Sequence, residues 1–171
     1  MYIAKRINIK LKIMKKLILL SVLFIGFSSL VSAQEIADNA IGLRFGDNNG
    51  IGTEITYQRA LGENNRLEVD LGWRNGKGFD AIQLTGLYQW VWQLDGDFNW
   101  YAGVGGGLVS IGSDNNDFDS ENFLFAAGDI GVEYSFDIPL LLSLDVRPEL
   151  GFGDFSDGVD FNVALGIKYQ F

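Results

Sequence analysis

Residues 159–171 read VDFNVALGIKYQF. Val159, Phe161, Val163, Leu165, Ile167, Tyr169 and Phe171 are apolar, and Asp160, Asn162, Ala164, Gly166, Lys168 and Gln170 between them are polar or small. Successive side chains of a strand point to opposite sides, so this stretch is a strand with one greasy and one hydrophilic face.

Seven earlier runs show the same two-residue period: 39–46, 50–61, 65–74, 79–94, 100–111, 123–136 and 141–153. In the seventh, Leu142, Leu144, Val146, Pro148, Leu150 and Phe152 alternate with Ser143, Asp145, Arg147, Glu149, Gly151 and Gly153. Turn-forming clusters separate the runs: 47–50, 62–65, 75–78, 95–99, 113–122, 137–139 and 154–158. Their Asn-Gly and Asp-Gly steps supply the positive φ that tight hairpins need. No run has a helical period. Consecutive hairpins make an up-and-down meander, and an even strand number lets it close. The expected fold is therefore all-β, an eight-stranded antiparallel up-and-down barrel over residues ~37–171.

Two barrels fit this pattern. A soluble, lipocalin-like ligand carrier places the apolar face inside; a transmembrane barrel places it in lipid. Glycines such as Gly42, Gly72, Gly103, Gly105, Gly107, Gly131, Gly151 and Gly166 fall on the polar face. Small residues suit a crowded interior better than a wet surface. The large aromatics also sort by height. With strand directions alternating, Tyr57, Trp90, Trp92, Trp100, Tyr134, Phe136, Tyr169 and Phe171 share one rim, and Phe45, Trp73, Phe79, Phe152 and Phe161 the other. Two aromatic girdles around an aliphatic band mark a membrane barrel. The doubtful outward base is Arg59, placed where it can reach headgroups.

Residues 1–33 carry six of the 13 basic residues and no acid, then an apolar run from Leu17 to Val31 ending Val31-Ser32-Ala33. This is a signal-peptide pattern, with residues 34–171 as the barrel domain; Met14-Lys15-Lys16 is an alternative start. The mature part keeps seven bases against 22 acids, a net charge of −15. That disfavours nucleic acid, which needs clustered Lys and Arg. The chain has neither Cys nor His, which removes a disulfide framework, a thiol nucleophile and the usual general base.

A terminal aromatic on an alternating last strand, Phe171 with Tyr169 two before it, resembles the signal read by the outer-membrane barrel assembly machinery. With the signal peptide and charged interior, the chain resembles the small OmpA/OmpX-type outer-membrane barrels. The resemblance implies export to the cell outer membrane. It also implies partners among outer-membrane lipids, lipopolysaccharide and the assembly machinery, and a monomer. The enzymatic outer-membrane barrels resemble one another in relying on histidine, so no enzyme and no cofactor are expected here.

The expected inward charges are Arg44, Glu54, Arg66, Glu68, Asp70, Arg74, Asp129, Glu133, Asp145, Arg147, Glu149 and Lys168. Eight strands leave an interior that side chains fill, and buried charges must pair. The expected function is a structural outer-membrane protein with a plugged interior and acidic extracellular loops. Alternatives are a small cation-preferring pore or transport-associated channel, and a surface adhesion module working through loop 113–122. In that loop Asp114, Asp117, Asp119 and Glu121 are weak cation ligands, without the glycine an EF-hand needs at its sixth position. Gly103-Val104-Gly105-Gly106-Gly107 lacks the following Lys-Ser/Thr and helix of a phosphate loop, and is read as a sharply bent strand.

Overall fold

The structure, a computed structural model, describes residues 36–47, 52–76, 79–113, 121–152 and 158–171, with the backbone alone at 47, 74–76, 79, 80, 113 and 121. The expected signal peptide, its alternative start, and Asp114, Asp117 and Asp119 lie outside these residues. So do the side chains of Arg74, Phe79 and Glu121.

Eight strands run in chain order: β1 (Asn39–Asp47), β2 (Thr53–Ala60), β3 (Asn65–Gly76), β4 (Phe79–Asp95), β5 (Phe98–Ser113), β6 (Glu121–Ser135), β7 (Leu140–Phe152) and β8 (Val159–Gln170). Each pairs antiparallel with the next, and β8 returns to β1, closing the barrel. The seam is tied at its end by Asn39 N–H to Phe171 O at 3.0 Å and Phe171 N–H to Asn39 O at 2.9 Å. Closure pairs the sheet edges, as hydrocarbon requires.

Two boundaries correct the sequence reading. The separator expected at 95–99 shrinks to Gly96-Asp97, with Gly96 at φ 52°. Phe98 and Asn99 already alternate within β5: Phe98 packs on Tyr134 at 4.6 Å between ring centroids, and Asn99 turns inward. β2 begins at Thr53 rather than at 50. The remaining ends move by no more than two residues. β3 to β6 run beyond the apolar band because backbone pairing continues there, as at Asn75↔Asp80 and Ser110↔Asn122.

The outer surface is apolar. Ile41, Leu43, Ile55, Leu71, Leu84, Ile130, Leu144, Val163 and Leu165 all expose 40 % or more of their area there. The inner positions carry the buried charges and amides. A soluble carrier would need the reverse, so that alternative falls. No helix among the described residues is long and apolar enough to cross a membrane; strands make the apolar band instead. Connections 61–64, 96–97 and 136–139 share the rim of Asn39 and Phe171, whereas the strand ends Asp47 and Thr53, Gly76 and Phe79, Ser113 and Glu121, and Phe152 and Val159 share the other. Ser113 and Glu121, the strand ends that flank the expected long loop, are thus at the rim opposite Asn39 and Phe171.

The lumen is not wholly polar. Leu87, Phe125 and Ala127 form a small buried cluster with Val109 against it, and Val91, Tyr101 and Leu141 also point inward. This cluster fits beside the glycine run of β5. A Cβ on Gly105 would strike the backbone of Gly86, and one on Gly107 the carbonyl of Leu84 and the ring of Phe125. Here the absence of a side chain permits a close approach of backbones.

Candidate functional site

The charged lumen holds most of the chemistry of the chain. Of the twelve expected inward charges, the eleven with described side chains all face the lumen; ten are buried and Glu149 is half-buried. Strand alternation places them, and the register stacks them.

Arg147 on β7 occupies the centre with no exposed area. Its guanidinium reaches three acids across the lumen: Asp70 Oδ2 at 2.6 Å, Glu68 Oε1 at 3.2 Å and Glu54 Oε2 at 3.3 Å. Glu54 and Asp145 also hold Arg44, whose Nη1 lies 3.0 Å from Glu54 Oε2. Arg44 Nη2 donates to Asn162 Oδ1 at 3.2 Å. Lys168 sits 3.6 Å from Glu68 Oε2 and donates to Ser143 Oγ at 3.2 Å. Gln58 Nε2 donates to the same Glu68 oxygen at 2.5 Å.

A second group lies toward the short-turn rim. Arg66 Nη2 is 2.8 Å from Glu133 Oε2, its Nε donates to Gln89 Oε1 at 2.6 Å, and its Cζ sits 4.8 Å from the centre of the Tyr101 ring. Guanidinium against an aromatic face is attractive, more so when desolvated. Gln89 Nε2 passes the chain on to Asp129 Oδ2 at 2.5 Å. Farther up, Gln83 Nε2 donates to Glu149 Oε1 at 3.3 Å.

The four bases are thus all ion-paired, whereas Asp129 and Glu149 receive only amide donors among the described residues. Sequence reasoning found the charges and the inward faces of Ser143 and Asn162, and missed the neutral links Gln58, Gln83, Gln89 and Asn99. Continuing the inward parity of each strand would have found them. A cavity of about 30 Å³ lies at the short-turn mouth, bounded by Ile36, Ala37, Gln58, Arg66, Asn99 and Glu133. Its volume suits a single water, not an organic ligand. Among the described residues no group of three or more Asp and Glu is arranged to hold a metal ion.

The expected girdle residues stand on the outer face. Tyr57, Trp73, Trp90 and Tyr169 are exposed there, and Trp92, Trp100 and Tyr134 are partly covered by one another's neighbours. Trp92 stacks on Trp100 at 4.4 Å, and Tyr134 meets Phe136 edge-on at 4.7 Å. Tyr169 and Phe171 lie stacked at 6.1 Å, both exposed.

No family model matches the chain, and no curated protein matches it. Solved structures do. The N-terminal β-barrel domain of Pseudomonas aeruginosa OprF is similar with a TM-score of 0.66 at 13% identity, over 79% of this chain and 98% of that one. Neisserial surface protein A (NspA) gives 0.58 at 15%, over 78% and 94%. Ail, the attachment invasion locus protein of Yersinia pestis, gives 0.52 at 13%, over 78% and 96%. The chain therefore has the fold of the small eight-stranded outer-membrane β-barrels. The OmpA/OmpX-type resemblance holds at the level of that fold.

Proposed function

We propose that the chain is an integral protein of the bacterial outer membrane, monomeric and non-enzymatic, whose barrel is a structural element plugged by its own side chains. One observation carries this reading: Arg147, with no exposed area, joins β7 to acids of β2 and β3 across the axis. A bridge through the centre of an interior that side chains already fill supports a blocked axis. The apolar band and girdles support residence in a lipid bilayer. Exposed Tyr169 and Phe171 support delivery by the assembly machinery. The protein reconstituted in planar bilayers should show no steady conductance; a stable open level would overturn the plug.

The second reading is a narrow cation-preferring path. It is favoured by the seven acids that face the lumen against four bases among the described side chains. Acid-lined constrictions select cations. Glu133→Ala and Arg147→Ala separate the two readings. In a plug they only destabilise; in a path held shut by the network they raise conductance.

A further inference from the structure

Among the described side chains Arg59 is the sole base on the outer face of the barrel. It ends the outward row of β2, at the rim of the short turns, opposite Asn39 on β1 and Leu67 on β3. Its Nη1 donates to Asn39 Oδ1 at 2.9 Å. The Tyr57 hydroxyl donates to the same oxygen at 2.8 Å. Asn39 is held in turn by two backbone bonds to Phe171. Arg59 and Tyr57 thus share one acceptor, Asn39 Oδ1, at the rim.

Arg59 makes no ion pair within the described protein, although this chain is strongly acidic. Asp38 beside it gives its backbone carbonyl to Ala60 N–H at 2.9 Å and leaves the guanidinium alone. Among the described residues one of its five guanidinium N–H groups, on Nη1, meets a protein acceptor. Above lies the apolar band, where an arginine is costly; below lies the headgroup layer, where the available anion is a phosphate.

From this geometry we infer that Arg59, Asn39 and Tyr57 form a seat for the phosphodiester of a glycerophospholipid in the leaflet at the short-turn rim. Arg59 supplies a charge-assisted, two-pronged hydrogen bond to the phosphate. Asn39 sets its direction, and the Tyr57 ring lies alongside the upper acyl chain. The seat rests on the membrane reading above.

Native mass spectrometry of the full mature protein, titrated in detergent with phosphatidylglycerol, tests it. The wild type should retain one lipid more tightly than the rest. Arg59→Gln should weaken that retention about fivefold, the scale of one basic residue at an anionic surface. Arg59→Lys should fall between. Asn39→Asp, which keeps the arginine but pairs it internally, should weaken retention as well. Inorganic phosphate at equal concentration should fail to displace the lipid; full displacement would make this a free-anion site and overturn the lipid seat. Equal retention by wild type and Arg59→Gln, both showing heat-modifiable folded bands, would overturn the seat and leave the membrane reading intact. A wild type that neither shifts on gels nor enters vesicles would bring down both.

Discussion

Arg44 Nε donates to Asp145 Oδ1 at 3.0 Å, although their strands never pair. β8 lies between, and the residue it places opposite Arg44 is Gly166. The guanidinium reaches past β8 and donates on the way to its Asn162 Oδ1 at 3.2 Å, while the space above Gly166 is filled by Ser143 and Lys168. A Cβ there would run into Ser143 Oγ and meet Lys168 Nζ at 3.0 Å. Gly166→Val should therefore push the Lys168–Ser143 hydrogen bond apart and cost about 1–3 kcal/mol, the usual range for overpacking. A lower urea midpoint in lipid vesicles is the expected result, and an unchanged midpoint would show that the lumen has slack there.

Arg147 carries more. Replacing it with Ala leaves Glu54, Glu68 and Asp70 facing one another without their shared cation. Breaking a buried pair from one side costs about 3–5 kcal/mol. Tryptophan-monitored unfolding should show that loss. Pairing Arg147→Met with Asp70→Asn should recover part of it, because one of the stranded charges goes too.

Gly105 and Gly86 make an internal comparison. A methyl on Gly105 strikes the backbone of β4, whereas one on Gly86 meets nothing within 4 Å. Gly105→Ala should lower stability by about 1–3 kcal/mol. Gly86→Ala should stay within about 0.5 kcal/mol of wild type. The fraction running as the folded band on unheated gels gives a rapid readout of both.

Ile130 sits on the outer face of β6, 54% exposed, level with Ala102 and Val146. If that face meets hydrocarbon, Ile130→Arg should cost about 2–4 kcal/mol in a bilayer. In lipid-free detergent the penalty should shrink. A charge tolerated equally in both would argue against a buried depth for this residue.

The stacked pair Trp92 and Trp100, 4.4 Å apart, should give an exciton band in circular dichroism. Trp92→Phe should remove that band while costing only about 0.5–1.5 kcal/mol. Its persistence would show that the two indoles do not stack in the folded state.

β8 was legible because its two faces are chemically unlike, and alternation alone assigns them. β4 was not. Leu87 and Tyr88, then Val91 and Trp92, are apolar on both faces, so local chemistry leaves the direction open. Only the parity carried from Gln83, Thr85 and Gln89 turns Leu87 and Val91 inward. Tyr101 was hidden for a similar reason: it lies beside Trp100, and its partner Arg66 comes from a strand that β5 does not touch. The set of interior charges could be read from period two, but not who holds whom. Arg147 meets acids 77 to 93 residues earlier in the chain, a matter of strand tilt and closure that no local pattern encodes.

That long reach bears on how the chain enters a bilayer. A half-built sheet of β1 to β4 holds Glu68 and Asp70 while the cations that pair with them, Arg147 and Lys168, are still waiting on β7 and β8. Such a fragment would drag naked carboxylates through oil. Insertion and ring formation must then coincide, and kinetics should show a single slow phase with no membrane-embedded hairpins along the way.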